Sequence, residues 1–153
     1  AADIDVTIQV NVLAALHVVR ACVGGMKERQ RGHIFNIGSV AGLYPVNSAV
    51  YGASKGAVHL MSQNLRVELA GTGIRVTEIC PGRIETEFFE TAFDDDEAKA
   101  KFTKGFNIMQ PEDISDAIMY AADAPWRVNV GLIEMTPTEQ YLGGGNITPV
   151  PGR

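Results

Sequence analysis

The chain has 153 residues, of which 46% are apolar and 20% are charged, and its net charge is −5. This composition indicates a globular domain with a sizeable core, and an acidic chain without a Lys/Arg run is not expected to bind nucleic acid or an anionic membrane. No uninterrupted apolar run approaches the ~20 residues that cross a bilayer, so we expect no membrane partner. Only two cysteines occur, neither at a metal-ligand spacing, so we expect a cytoplasmic protein without a metal site.

The first helix is predicted over residues 5–29. Apolar side chains recur there every three or four positions, which places them on one face of a helix. They are Val12, Leu16, Val19, Val23 and Met26. Residues 33–39 follow as a short apolar strand, and 40–49 is rich in Gly, Pro, Asn and Ser, which indicates a loop.

A second helix is predicted over 51–70, and Tyr51 and Lys55 stand near its start. The two residues lie about 40° apart around the axis at 3.6 residues per turn, so they share a face. The expected buried stripe consists of side chains four positions apart. It comprises Ala53, Ala57, Met61, Leu65 and Leu69.

The second half of the chain is predicted to hold two strands and one helix. Residues 74–80 form an apolar strand that Pro81-Gly82 ends, and a long connection follows. The third helix begins at Pro111, which suits a first turn, and ends before Pro125. A last strand is predicted over 131–137.

Helices and strands therefore alternate, which predicts the α/β fold class. Consecutive strands joined by helices pair in parallel. We expect part of a doubly wound, Rossmann-like parallel sheet, with three strands and flanking helices in this chain. Residues 143–153 have no periodicity and are predicted to be an extended tail.

Tyr51 and Lys55 are candidates for proton-transfer chemistry. When hydride passes from an alcohol to a nicotinamide, the hydroxyl proton must leave too, but a free tyrosine has a pKa near ~10 and is a poor base at neutral pH. An ammonium within ~4–6 Å favours the phenolate, and lowering the pKa by two to three units takes roughly 3–4 kcal/mol. A lone Tyr-x-x-x-Lys pair is a weak signal, and a solvated surface pair is the alternative.

Other candidate residues stand where the predicted strands end, which is where ligands of parallel sheets bind. They are Ser39, Pro81, Gly82, Ile84 and Thr86. The hydroxyl of Ser39 could hold a substrate oxygen by a hydrogen bond. Asn11 lies inside the first predicted helix, where it could fix a water that links Lys55 to solvent.

Together these residues resemble the short-chain dehydrogenase/reductase family. The matching segments are Asn11-Val12, GHIFNIGSVAG at 32–42, YGASK at 51–55, LRVEL at 65–69, GIRVTEICPG at 73–82 and IET at 84–86. The match runs across nearly the whole chain. It implies an NAD(P)-dependent oxidoreductase that interconverts a small secondary alcohol or hydroxy acid and its carbonyl form.

The resemblance also implies a role for each matching residue. Tyr51 would be the acid/base, and Lys55 would be its pKa partner and a ligand of the cofactor ribose. Ser39 would orient the substrate beside Tyr51, and Asn11 would belong to a proton relay. The residues expected at the nicotinamide end of the cofactor are Pro81, Gly82, Ile84 and Thr86.

The substrate and the choice of cofactor follow from weaker features. The stretches PEDISDAIMYAADAP and VNVGLIEMTPTEQ resemble a subgroup that acts on small 3-hydroxy acids, which favours NADP over NAD. Phe88 and Phe89 follow Thr86, and we expect them either to line an acyl or alkyl pocket of the substrate or to pack in the core.

One part of the family's pattern has no counterpart in the sequence. A Gly-rich strand–turn–helix for pyrophosphate is missing, since GGGN at 143–146 opens no helix. We therefore expect residues 1–142 to be the carboxyl-terminal part of a single Rossmann-type reductase domain. We also expect this segment by itself to bind no dinucleotide.

A non-catalytic dimerisation or scaffold protein of the same fold is the alternative. The apolar helices at 5–29 and 51–70 could form a four-helix interface, so a homodimer or homotetramer is expected under either hypothesis. A protein that had lost its catalytic activity would have no reason to keep Asn11, Ser39, Tyr51 and Lys55 together. Their joint presence therefore favours the enzyme.

Overall fold

The computed structural model describes residues 2–86, 105–141, 147–150 and 152. In chain order the elements are helix α1 (Ala2–Ile8), a π-helical turn (Gln9–Leu13), helix α2 (Ala14–Glu28), strand β1 (Gly32–Ile37), a 3-10 turn (Val40–Gly42), helix α3 (Ala49–Glu68), strand β2 (Ile74–Pro81), helix α4 (Pro111–Asp123) and strand β3 (Leu132–Met135). The predicted α/β alternation is confirmed.

The three strands form one parallel sheet in the order β1-β2-β3. Gly32 pairs with Ile74 at the start of β1, and Ile37 pairs with Ile79 at its end. On the other side of β2, Glu78 pairs with Leu132. Because all strands run in one direction, their carboxyl ends lie along the same edge, and the loops that follow them meet there.

The core lies between the sheet and the helices α2 and α3. Its buried members are Val19, Ile34, Leu65, Leu69, Ile74 and Val76, with Val23, Met26 and Met61 packed against them. A fully buried Leu or Ile side chain stabilises the fold by roughly 1.5–3 kcal/mol relative to exposure. This cluster therefore anchors α2 and the carboxyl-terminal half of α3 to the sheet.

The first predicted helix is present, but a π-helical turn divides it. Val19, Val23 and Met26 pack on the core as the periodicity predicts. Leu16 was expected on the same face, yet 43% of it is exposed, because no described element covers it. The predicted apolar stripe therefore holds only for the last turns.

The helix over Asp3–Glu28 is long and apolar enough to cross a membrane by length and composition. The sequence, which contains no uninterrupted apolar run of that length, predicts no such segment, so the structure differs from the prediction here. Core helices and signal sequences pass the same test. Val19 is the single buried residue between Asp3 and Glu28, so burial does not identify this segment as a core helix. Length and composition alone are weak evidence for a membrane span.

The predicted buried stripe of α3 is wrong in its first half. Ala53 and Ala57 are exposed, and the buried positions there are Ser54, Val58 and Ser62. The serine hydroxyls can be buried because they donate hydrogen bonds to backbone carbonyls of the preceding turn, from Ser54 to Tyr51 and from Ser62 to Val58. A prediction based only on the polarity of the side chains therefore assigned the wrong buried face to this half of α3.

The boundaries of the predicted elements differ by a few residues. Strand β1 ends at Ile37, two residues before Ser39, and α3 begins at Ala49, where the Ser48 side chain accepts a hydrogen bond from the Tyr51 backbone N–H. Helix α4 begins at Pro111 as predicted, preceded by a reciprocal cap between Gln110 and Asp113.

Candidate active site

Ser39 lies at the carboxyl edge of the sheet, where it joins β1 to the 3-10 turn. Its Oγ accepts a hydrogen bond of 3.1 Å from the Ala41 N–H and so caps that turn. The same hydroxyl is 3.5 Å from the carbonyl oxygen of Pro81, at the end of β2. The residue is buried, so its hydroxyl is held in place by groups from two neighbouring strand ends.

Tyr51 and Lys55 lie on the face of α3 that turns toward this edge. The phenol of Tyr51 shares a side-chain hydrogen bond with Ser39. The Nζ of Lys55 lies 5.9 Å from the centre of the Tyr51 ring and donates a hydrogen bond of 3.1 Å to the Ile37 carbonyl. The structure therefore brings together three of the four residues for which the sequence suggested a catalytic role.

The pKa of Tyr51 does not follow the expectation that Lys55 lowers it. Burial raises the pKa of the phenol, and the hydrogen bond with Ser39 lowers it by a smaller amount. Burial also lowers the pKa of Lys55, while Cys80 and Glu78 favour its charged form. The surroundings of the phenol therefore favour its protonated form.

Asn11 lies in the π-helical turn. It contacts Ser54, the residue before Lys55, and not Lys55 as expected. Its side-chain amide donates a hydrogen bond of 3.0 Å to the Ser54 hydroxyl. That hydroxyl in turn donates to the Tyr51 carbonyl at 2.8 Å. π-helical turns inside α-helices are frequent at functional sites, and here one connects Asn11 to the first turns of α3.

The residues after β2 lie beside the same edge. Pro81 is buried at the end of the strand, and the Gly82 N–H donates to the Met135 carbonyl at 2.7 Å. A Cβ atom at Gly82 would approach the Gln140 side-chain oxygen to 2.6 Å, so a larger residue there would displace the Gln140 side chain. Ile84 forms an isolated parallel bridge with Met109, and Thr86 is exposed. Phe88 and Phe89 lie outside the described residues.

A nicotinamide cofactor can be tested against the donor groups at this edge. An ammonium has three N–H donors, and that of Lys55 uses one of them on the Ile37 carbonyl beside the Ser39–Tyr51 pair. The remaining donor capacity suits the hydroxyls of a ribose. The residues present therefore fit the ribose of such a cofactor.

Spacing along the sequence did not reveal a second polar cluster behind this edge. The buried carboxylate of Glu78 on β2 lies 2.7 Å from Nδ1 of His59 on α3. Cys80 is also buried, and burial, followed by the charge of Glu78, raises the pKa of its thiol to about 12. Alternation along β2 could have indicated that Glu78 and Cys80 share a face, but not which helix covers them.

Comparisons with known proteins show which families and structures this chain is similar to. A family model for short chain dehydrogenases matches residues 1–97. Among curated relatives, the uncharacterized short-chain type dehydrogenase/reductase y4eK of Sinorhizobium fredii (strain NBRC 101917 / NGR234) is 42% identical over 147 residues, which are 95% of this chain and 59% of the relative. The NADP-dependent 3-hydroxy acid dehydrogenase YdfG of Salmonella typhi is 42% identical over 145 residues, 93% of this chain and 58% of that protein.

Solved structures of similar proteins show the same fold. The closed form of serine dehydrogenase complexed with NADP+ has a TM-score of 0.84 at 39% identity, covering 94% of this chain and 59% of that chain. A 4-hydroxyisoleucine dehydrogenase complexed with NADH has a TM-score of 0.68 at 28% identity, covering 85% and 56%. This chain thus spans less than two thirds of the length of these relatives.

Proposed function

Because this chain belongs to the short-chain dehydrogenase/reductase family, we propose that it carries the catalytic residues of an NAD(P)-dependent oxidoreductase. The reaction interconverts a small secondary alcohol or hydroxy acid and its carbonyl form. The observation that carries this proposal is the meeting of Ser39, Tyr51 and Lys55 at the carboxyl edge of a parallel sheet. That edge is where open α/β sheets bind their ligands.

Tyr51 is proposed as the acid/base. Its phenol is the proton donor to the substrate oxygen in carbonyl reduction, and the phenolate accepts that proton in alcohol oxidation. Ser39 shares a hydrogen bond with this phenol, so an oxygen placed between the two side chains can receive hydrogen bonds from both. The nicotinamide, when bound, exchanges the hydride with the substrate carbon.

Lys55 is proposed to hold the cofactor ribose and to favour the phenolate of Tyr51 through its positive charge. The Nζ of Lys55 lies 5.9 Å from the centre of the Tyr51 ring, at the outer limit of the distances over which a cation favours a phenolate. The positive charge of an oxidised nicotinamide would act in the same direction. Asn11, through Ser54, is proposed to hold the first turns of α3 and to take part in a proton relay from Lys55.

NADP is the favoured cofactor and small 3-hydroxy acids are the favoured substrates. The support comes from relatives named as an NADP-dependent 3-hydroxy acid dehydrogenase and a serine dehydrogenase complexed with NADP+. Pro81, Gly82, Ile84 and Thr86 are proposed to contact the nicotinamide end, and Phe88 and Phe89 to line the substrate pocket.

The test is Tyr51→Phe in the complete protein, with Tyr120→Phe as the matched control. Tyr120 lies on α4 and is 70% exposed. The absorbance of reduced nicotinamide would be followed with a panel of 3-hydroxy acids and their keto forms. We expect Tyr51→Phe to lower turnover by about 10²–10⁴-fold, the usual contribution of a general acid/base, with cofactor binding and the control nearly unchanged.

Retained turnover in Tyr51→Phe would exclude the phenol as the acid/base. If neither wild type nor variant oxidised any substrate of the panel, the non-catalytic scaffold would be favoured. The two hypotheses therefore differ in a single set of assays.

A homodimer or homotetramer is also proposed, through the helices at 5–29 and 51–70. Large apolar side chains are exposed on this helical part of the chain: Ile4, Val6, Val10, Leu13, Leu16 and Val18, with Leu60 and Val67 on α3. Exposed apolar surface of this extent commonly marks an interface. Sedimentation of the complete protein should show a dimer or tetramer, and a monomer across micromolar concentrations would contradict the proposal.

A further inference from the structure

Three potential metal ligands meet between α3 and the sheet, behind the candidate active site. Glu78 and Cys80 stand two residues apart on β2 and therefore point to the same face. His59 approaches from α3. The imidazole nitrogen, the carboxylate oxygen and the sulfur all lie within 4.8 Å of one another, in the part of the chain that the structure describes.

The carboxylate of Glu78 is only half satisfied. Glu78 is 2% exposed, and its Oε2 pairs with His59 Nδ1 at 2.7 Å. Its Oε1 is buried and has no well-formed hydrogen bond. The thiol of Cys80 faces the same carboxylate, but a thiol is a weak donor. A buried carboxylate oxygen without a partner is costly, so a ligand that binds Oε1 would be strongly stabilised.

Glycine at position 38 makes room for this oxygen. A Cβ atom at Gly38 would collide with Glu78 Oε1 and would lie 3.0 Å from the Cys80 sulfur. The side chains of Glu78 and Cys80 can therefore lie directly against the backbone at Gly38, the residue after β1. The backbone thus closes one side of the cluster, and the partly exposed His59 lies on the other.

We propose that His59, Glu78 and Cys80 form a binding site for a divalent transition metal ion, with Zn²⁺ as the preferred ion. Imidazole, carboxylate and thiolate are the three ligand types that Zn²⁺ accepts, and three protein ligands leave a fourth position for water. The charges of one thiolate and one carboxylate balance the two positive charges of the ion, so the buried site becomes neutral.

Gln63 is the neighbour that sets which ring nitrogen of His59 carries the proton. Its amide nitrogen lies 2.9 Å from His59 Nε2 and donates to it, so Nδ1 carries the ring proton and donates to Glu78. Metal binding at Nδ1 requires the Gln63 amide to turn by 180°, so that its oxygen accepts the proton on Nε2 and the Nδ1 lone pair is directed at the cluster. Binding then replaces the thiol proton of Cys80 with the metal ion, and that proton is released to solvent without any oxidation or reduction.

The experiment titrates Co²⁺ and then Zn²⁺ into the complete protein after chelator treatment. Co²⁺ bound by a thiolate shows a charge-transfer absorption band, which Zn²⁺ should remove by competition. We expect one ion per chain. Cys80→Ser should abolish the band, and Glu78→Gln and His59→Gln should each weaken binding by roughly 100-fold or more, since changes beyond the direct ligands already cost ~10–100-fold.

Matched controls come from the first helix. Cys22 and His17 are exposed and lie far along the chain from the cluster, so Cys22→Ser and His17→Gln should bind Co²⁺ as wild type does. The proposal is overturned if wild type takes up no Co²⁺, if the band disappears in Cys22→Ser, or if His59→Gln, which removes a partly exposed group, binds as tightly as wild type.

Discussion

The two halves of α3 meet the sheet with opposite chemistry. In the carboxyl-terminal half, Leu65 and Leu69 pack against Val76 in an apolar cluster. In the amino-terminal half, polar and ionisable groups face the strand ends: Tyr51, Ser54, Lys55 and His59, opposite Ser39, Glu78 and Cys80. The apolar carboxyl-terminal half can fix the helix against the sheet. The polar amino-terminal half can then hold its side chains in the geometry that a reaction needs.

The polar half cannot stabilise itself by burial alone. Desolvation raises the pKa of Tyr51 and lowers that of Lys55, so both groups are held in an environment that disfavours their charged forms. Such groups keep their geometry only if packing elsewhere holds the helix. The apolar half, four to five turns along the same helix, supplies this packing. Variants in the two halves should therefore separate activity from stability.

The largest expected effect is on activity, from Lys55→Met in the polar half. The variant keeps the length of the side chain but removes the charge and the hydrogen bond to Ile37. We expect turnover to fall by about 10²–10⁴-fold, similar to the loss of the acid/base itself, with weaker cofactor binding. Lys27→Met on α2, an exposed lysine, is the control, and equal activity of the two variants would contradict the role of Lys55.

Next in size is the stability effect of Leu65→Ala in the apolar half. Leu65 is buried in the core cluster, and truncation of a buried Leu to Ala costs about 2–5 kcal/mol. Urea unfolding should show this loss, while turnover per folded molecule changes little. Leu60→Ala on the same helix is the control, since Leu60 is 56% exposed. Similar losses in both variants would show that the two faces of α3 are not distinct.

Between the two halves, Ser62→Ala tests a buried polar pair. The Ser62 hydroxyl accepts a hydrogen bond of 2.8 Å from the Asn36 amide. Its loss leaves that amide buried without a partner, which costs about 1–3 kcal/mol. Urea unfolding of Ser115→Ala, a change at an exposed serine on α4, should show no comparable loss. A neutral Ser62→Ala would mean that the amide finds another partner.

The last effect appears only below neutral pH and concerns His33, on the opposite face of the sheet from α3. The Thr77 hydroxyl donates to Val130, so it accepts from His33 Nε2, and the buried Nδ1 has no hydrogen-bond partner. Burial, and then the charge of Arg75, lowers the pKa of His33 from 6.5 to about 4. A protonated ring would bury a second N–H without an acceptor.

The sign of the resulting pH dependence follows from that shift. Below pH 6.5, the pKa of His33 in the unfolded chain, the unfolded state binds a proton at this residue. In the folded state His33 binds that proton only near pH 4. Stability should therefore fall as the pH drops through this window. His33→Gln should reduce the slope measured by urea unfolding, and His17→Gln should not. An unchanged slope in His33→Gln would assign the loss to other groups.

Local patterns determined the order of the elements and most of the catalytic candidates. Helical periodicity, strand runs and the breaks at Gly and Pro depend on neighbours a few residues apart, so α1 to β3 could be placed from the sequence within a few residues. Tyr51 and Lys55 were recognisable because four residues along a helix place side chains on one face. Ser39 was recognisable because it follows a strand.

Contacts between distant segments were decided only by the tertiary structure. The burial of Ser54 and Ser62 in place of the alanines depends on hydrogen-bond partners such as Asn11 and Asn36, which are 43 and 26 residues away. The meeting of His59 with Glu78 and Cys80 depends on how α3 crosses the sheet. Periodicity shows which residues share a face of one element, but packing decides what that face meets, and so which polar groups become partners.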